Sequence, residues 1–455
     1  MQTALKEKQD STRMPSSLQA EIASVTVALV LCFLILWFPM GLRRSQLHVP
    51  ISYFGGDDLA YSVFMKGVVD GGWFLHNDML GAPFGTDLHD FPVNDSISLL
   101  LVKFFTLFTR DFALIFNLFL IVNYPITVLV TYGVFRQFKL RHASSVVGCL
   151  FYAFIPYHYS RAIGHIFYSV YFAVPLMVMV LVWLMNGTLR GSDLLTLEGI
   201  KRNKGKVSIC AVSCILISST GGFYYSFFAL FFLGIAGLFL LIRERHWQSL
   251  IAPSVIAAGI LLVLTLNVIP NLLYYAKNGR TSAVVRTAAE AEYGGLKISS
   301  LLLPLPHHVL ESFAAVRIRS LKSPLTTENQ DSTLGIFGSV GFLFLLGFLL
   351  FRKSEPAGEE SPDTLFRNLG ILNISGVLFA TIGGFGSLFA LLIWPQIRSY
   401  NRISVYLAFF SFLTFFLLLD RVLVPMVPVL GKPSVYFPGI ALLFILGTVD
   451  LLGHF

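Results

Sequence analysis

Charge is what this sequence has least of. Asp, Glu, Lys and Arg make up 13% of its 455 residues and hydrophobic residues 55%, whereas a soluble globule carries about a quarter charged residues. That balance excludes an ordinary soluble domain. The net charge of +8 does not point to nucleic acid, because the Lys and Arg are scattered in short loops between apolar runs, where they fix membrane orientation. Cysteine is scarce too. Cys32, Cys149, Cys210 and Cys214 all fall inside apolar runs, so they read as small buried hydrophobes and imply no disulfide framework. Gly-Lys-Ser phosphate loops, dinucleotide fingerprints, His-Glu-x-x-His and Gly-x-Ser-x-Gly are all missing, so no nucleotide cofactor is expected. A removable signal peptide is missing as well. Residues Met1–Ser17 are polar and mixed in charge, and the first apolar run, 22–40, is long enough to span. No internal repeat is evident, which weighs against a transporter built from duplicated halves.

What is present is a series of apolar runs. About eleven are long enough to be read as spans, near 22–42, 111–135, 143–157, 166–186, 207–220, 223–242, 250–272, 332–351, 367–384, 401–419 and 435–452. The stretch 97–108 contains Lys103 and reads as a helix in the membrane interface, and 385–394 as a re-entrant segment. The expected fold class is an all-α integral membrane protein with a large first extracytoplasmic loop carrying interfacial helices. Residues 1–21 form a tail and 22–455 one polytopic domain. Basic residues fall on one face if the spans alternate: Lys6, Lys8 and Arg13, then Arg136, Lys139 and Arg141, Arg190 with 201–206, Arg243, Arg245, Arg352 and Lys353. That face is expected to be cytoplasmic, with the N-terminus. Loops 43–110, 158–165, 276–331 and 385–400 are then extracytoplasmic, and Arg43 and Arg44 are a small exception.

The polar residues that stand out lie on that outer side. Gly55-Gly56-Asp57-Asp58 opens a segment with apolar residues at helical spacing, so Asp58–Asp70 is expected as an amphipathic surface helix, with Asp57 or Asp58 at its N-cap. His76, Asp78, Asp87, His89, Asp90 and Asp95 follow. Carboxylates and imidazoles at this density suit hard-metal ligation or general-base work on a hydroxyl, although Asn94 or Asp95 also reads as the N-cap of the next helix. His158, Arg161 and His165 stand at i, i+3 and i+7, which puts two imidazoles and a guanidinium on one helix face. Arg suits a phosphate there, and interfacial anchoring beside Tyr157 and Tyr159 is the plainer reading. Arg398 and Arg402 stand at i, i+4 with Asn401 beside them; cations on the outer side run against the positive-inside bias. Tyr224, Tyr225, Glu290, Glu292, His307, His308, Glu328 and Asn329 are lesser candidates. Without a nucleotide site, an enzyme working on this face needs an activated donor already there, such as a lipid-phosphate-linked group.

One apolar span, a large outer loop with an early Asp, and many further spans resemble the GT-C class of polyprenyl-phosphate-sugar-dependent glycosyltransferases. Several strings also resemble a group of bacterial multi-spanning proteins described as membrane glycosyltransferases or sugar translocases. They are Gly55-Gly56-Asp57, 72–77, 80–85, Asp90-Phe91-Pro92, Pro156-Tyr157-His158, Gly164-His165 and 400–404. The resemblance implies a catalytic base at Asp57, with Asp58 second, and donor-phosphate binding by Arg402 and Arg398, with Arg161, His165 and Asn401. It implies an acceptor or loop site at His76, Asp90, Asp95 and His158, and a divalent cation, Mg or Mn, on Asp58, Asp87, His89 and Asp90. The expected partners are membrane lipids, a polyprenyl-phosphate-linked sugar donor and a glycan, lipid or protein acceptor, with no nucleic acid. The expected location is the bacterial inner membrane. A flippase of lipid-linked sugar and a non-catalytic envelope component are the alternatives. There is one departure: the chains it resembles tend to continue into an outer soluble domain, whereas this one ends at Phe455, which bears on the completeness of an acceptor site.

Overall fold

The computed structural model describes residues 16–51, 57–90, 93–279, 286–351 and 361–453. Gly55-Gly56, Phe91-Pro92, Arg352, Lys353 and the tail with Lys6, Lys8 and Arg13 lie outside the described residues. The chain begins with α1 (Ser16–Trp37), α2 (Asp57–Gly71) and a two-residue antiparallel hairpin of β1 (His76–Asn77) and β2 (Thr86–Asp87). Next come α3 (Ser96–Phe105), α4 (Phe112–Gln137), α5 (His142–Ala153), α6 (Pro156–Ala162) and α7 (Ala173–Met185). Two surface turns, α8 (Gly191–Leu195) and α9 (Leu197–Arg202), lead to α10 (Lys204–Ser219), α11 (Gly222–Glu244) and α12 (Ile251–Asn278). Short helices α13 (Glu290–Tyr293), α14 (Ile298–Leu302) and α15 (Glu311–Leu321) precede α16 (Gly335–Phe351), α17 (Pro362–Ala380), α18 (Phe385–Leu392), α19 (Ser404–Leu418) and α20 (Pro433–Leu452).

Helices stand at all eleven expected positions, yet among the described residues six segments are long and apolar enough to cross a membrane: Ser17–Trp37, Phe112–Gln137, Gly222–Glu244, Trp247–Asn278, Tyr400–Met426 and Pro433–Leu452. The remaining expected spans fall short for visible reasons. The helices α5, α7, α10 and α16 are short, and α17 carries Asp363, Arg367, Asn368 and Asn373. The segment 385–394, expected to be re-entrant, contains the eight-residue α18. The protein is a multi-pass helical membrane protein.

Lipid is as apolar as a leucine side chain, so close packing and polar contacts hold such helices together. The pairing of α16 with α19 shows this. A Cβ at Gly341 would stand 2.0 Å from the Ser411 carbonyl oxygen, and one at Gly338 would stand 3.2 Å from the Phe412 ring, so only glycine lets these backbones meet. At the start of α16, Asp450 of α20 accepts from the Ile336 N–H at 2.6 Å and lies 3.2 Å from His308. These contacts fix the chain on either side of 327–332 and just after 400–403, which meet at the candidate site.

Two local expectations need correcting. The helix α2 begins one residue earlier than expected and does not lie free on a surface. Asp58, Ser62, Phe64, Met65, Val68 and Val69 are all buried, the last four in an apolar cluster with Phe116, Phe119 and Phe167. Asp95 does stand at the N-cap position of α3, but it makes no capping bond. Its carboxylate accepts instead from the Gly222 N–H at the start of α11, at 3.0 Å.

Candidate active site

Asp57 and Asp58 open α2 and do different work. The Asp58 side chain is buried and accepts from the Gly164 N–H at 2.7 Å, in a turn that Gly164 makes with φ +108, a conformation glycine adopts without steric cost. That bond fastens the start of α2 to the segment carrying His165. Asp57 keeps 57% of its side chain exposed, and its Oδ2 stands 3.0 Å from His165 Nε2. The hydrogen bond from His165 outweighs partial burial and, with the charges of His165, Arg402 and Arg398, holds the Asp57 carboxyl below the usual aspartate range.

Beyond His165 stands Glu328, in the 3₁₀ turn Thr327–Ser332. Its carboxylate lies 3.8 Å from His165 Nε2, 3.2 Å from Arg161 and 3.4 Å from Arg402. Burial acts to raise the Glu328 carboxyl, but the two guanidinia and His165 overcome it and hold the pKa down. Asp331 lies 3.5 Å from Arg161. Both guanidinia are buried, at 4% and 3% exposure. The Arg402 guanidinium lies over the rings of Tyr168 and Tyr224, 3.9 and 4.3 Å from their centroids, and Arg161 lies over Tyr157 at 5.1 Å. Such faces stabilise a desolvated cation. The start of α2 and both arginine-bearing segments therefore meet in one place, although Arg161 and Arg402 are 241 positions apart in the chain.

Polar atoms are left over in this cluster. Among the described residues the buried side chain of Asn401 has neither donor nor acceptor partnered, and Arg161 Nε, Arg402 Nε and the Tyr400 hydroxyl have no partner either. Buried polar groups are normally satisfied, so these atoms are open to a further hydrogen-bonding partner. Arg398 is at the margin, 3.1 Å from Glu290.

Other expected residues lie elsewhere. The three residues expected on one helix face do not stay together: α6 ends at Ala162, so His165 lies beyond the helix and reaches the cluster through the Gly164 turn, while His158, inside α6, faces away from it. His158 is buried, with Nδ1 2.8 Å from the Ala153 carbonyl and its ring stacked on Tyr124 at 3.8 Å. His76 sits on the exposed hairpin between Asp87 (2.8 Å) and Asp78 (3.0 Å), whose hydrogen bonds raise its pKa. The expected metal set does not assemble. Asp58 is held by Gly164, Asp87 by His76, His89 stacks on Tyr274 at 4.7 Å, and the Asp90 carbonyl accepts from Tyr275. No group of three or more His, Cys, Asp or Glu placed to hold a metal ion occurs among the described residues. Asp95 is buried, and that burial raises its carboxyl to about 7 against the opposing N–H groups of Gly222 and Gly221. Tyr168 and Asp331 carried no sequence signal of their own. Glu328 carried a faint one, as an acid just ahead of an apolar run on the same expected face as the arginines.

No family model and no curated protein sequence matches the chain. Solved structures do match in fold. The apo crystal structure of an oligosaccharyltransferase from Archaeoglobus fulgidus aligns with TM-score 0.50 and 14% identity, over 97% of this chain and 56% of that one. The fold is GT-C-like. The chain spans about half the length of that archaeal enzyme. An oligosaccharyltransferase from the same organism, in complex with an inhibitory peptide and a dolichol-phosphate, aligns at TM-score 0.45 and 14% identity over 96% of this chain and 55% of that one. Placed on the GT-C-like fold, the arginine cluster joins the first loop to the segments just before α16 and α19.

Proposed function

We propose that this protein is a glycosyltransferase that moves a sugar from a polyprenyl-phosphate donor to an acceptor on the outer face of a bacterial inner membrane. In this reading the N-terminus is cytoplasmic and the chain crosses the membrane about eleven times, the shorter helices crossing within the bundle. The carrying observation is the run of contacts from Asp57 through His165 and Glu328 to Arg402 and Arg161. The GT-C-like fold supports it.

The acceptor oxygen forms a bond to the anomeric carbon while the bond from that carbon to the donor's phosphate oxygen breaks. The phosphate leaves with the electron pair and needs compensating charge rather than a proton, which Arg402 and Arg161 supply. The acceptor's proton goes to Asp57. A carboxylate held below its ordinary pKa is a weak base, but it stays ionised at neutral pH. It takes the proton as positive charge develops on the sugar and the attacking hydroxyl turns acidic. Asn401 and Tyr400 offer hydrogen bonds to the donor. The expected metal ligands do not come together among the described residues, and in this reading the two guanidinia carry the charge compensation.

The test is transfer by the reconstituted protein from polyprenyl-phosphate sugars. Loss of a general base costs about 10²–10⁴-fold, so Asp57→Asn should lose at least 100-fold while its thermal unfolding stays that of wild type. Unchanged transfer would remove Asp57 from the mechanism.

A further inference from the structure

A second site lies at the far end of α11, the helix whose Tyr224 lies under Arg402. The helix α11 starts at Gly222 beside Tyr168 and ends at Glu244. At 1.5 Å per residue it is about 33 Å long, close to the roughly 30 Å of a hydrocarbon core. At its far end, where α7 also finishes, is a cavity of about 660 Å³ lined by Arg190, Ser192, Glu244, His246 and the apolar side chains of Leu184 and Leu240.

The chemistry of the surroundings is one-sided. Segments 187–206 and 243–252 hold seven Lys and Arg against three Asp and Glu. Two of the three acids are already engaged: Asp193 pairs with Arg202 at 2.9 Å, and Glu244 with Arg243 at 2.9 Å and His246 at 3.5 Å. For Arg190, the guanidinium's one hydrogen bond among the described residues runs from Nε to the Gly187 carbonyl, which leaves its terminal nitrogens for a ligand. Around the mouth, Leu195, Leu197 and Trp247 are exposed at 60%, 77% and 69%. Exposed apolar groups and a Trp beside a basic cavity are the furniture of a membrane interface.

We propose that this cavity binds the headgroup of one anionic phospholipid, with the diester phosphate at Arg190 and His246 and the acyl chains along Leu195, Leu197 and Trp247. The basic loops place it on the leaflet that carries anionic lipid in the topology above. The inference does not depend on the transfer reaction.

The experiment is native mass spectrometry of the full chain, delipidated in detergent and titrated with phosphatidylglycerol or phosphatidylcholine. Wild type should retain one phosphatidylglycerol in preference to phosphatidylcholine. The double variant Arg190→Gln/His246→Gln should bind it on the order of fivefold or more weakly, the loss of about one cation's attraction, whereas removing an exposed cation elsewhere, Arg319→Gln, should change nothing. Both altered side chains are exposed, and a second variant that fills the cavity, Ser192→Trp, should abolish the retention without removing charge. Equal retention of the two lipids overturns the proposal. So does unaltered binding by both cavity variants. Displacement of the lipid by millimolar inorganic phosphate would reassign the cavity to a free anion and overturn it too.

Discussion

Replacing Glu328 with Gln tests the arginine cluster most directly, because one carboxylate faces Arg161, Arg402 and His165 at 3.2, 3.4 and 3.8 Å. Gln keeps the size and a carbonyl acceptor but removes the charge. Breaking a buried ion pair from one side costs about 3–5 kcal/mol. Two features place this case lower. Asp331 still faces Arg161 at 3.5 Å, and the rings of Tyr168 and Tyr224 still cover Arg402, so about 2–3 kcal/mol is expected. Thermal unfolding in detergent should show the loss at both 0.05 and 0.5 M salt, since buried pairs are poorly screened. The pH dependence has a fixed sign. The folded Glu328 carboxyl is held down, so its contribution is complete above about pH 4.3, the unfolded value, and is lost as pH falls further. The variant should therefore destabilise less than wild type between pH 5 and 3. With the internal anion gone, inorganic phosphate should also protect the variant more than wild type. A variant as stable as wild type, with the same response to phosphate, refutes the reasoning.

Three further outcomes are expected. Arg402→Lys keeps the charge but loses the plane that lies on the two tyrosines, a contact worth about 1–2 kcal/mol when desolvated, so kcat/KM for transfer should fall roughly tenfold. Asp95 titrates near 7 in the folded protein and near 3.9 when unfolded. Its ionisation thus opposes folding progressively as pH rises from 4 to 7. Asp95→Asn, which still accepts from Gly222, should abolish that part of the decline and be the more stable protein at pH 8 by calorimetry. Gly222→Ala adds a Cβ that would stand 2.3 Å from the Tyr168 ring at φ +65; a loss of about 1–3 kcal/mol should appear as a lower melting temperature, and a wild-type melting curve would contradict the packing described.

The helices were readable because an apolar run records its own burial. Crossing number was less readable: α5 and α10 are short and α17 carries polar residues, so run length alone does not decide what crosses. Asp57, Arg161, His165, Arg398, Asn401 and Arg402 could each be singled out, as polar residues beside apolar runs. That Glu328 joins Arg161 to Arg402 could not, since the contact spans 167 positions on one side and 74 on the other and follows from how α16 and α19 pack. Helical spacing is a poor guide at 158–165, because α6 stops at Ala162: His165 joins the cluster from beyond the helix, and His158 within it turns to Tyr124. Asp58, Asp87, His89 and Asp90 illustrate a related error: nearness in sequence stood in for nearness in space, and local turns and the end of α12 gave each a separate partner.

The α11 helix has a mechanical consequence. As a rod about 33 Å long, it acts as a lever: a tilt of about 2° about its midpoint shifts each end by roughly 0.6 Å. Its first residue cannot absorb such a shift, because Gly222 stands so close to the Tyr168 ring that even a methyl group has no room. The ring must move with it, and the guanidinium of Arg402 rests on that ring. Whatever pushes on the Glu244 end is therefore felt as a change in the seat of a buried cation on the opposite side of the bundle.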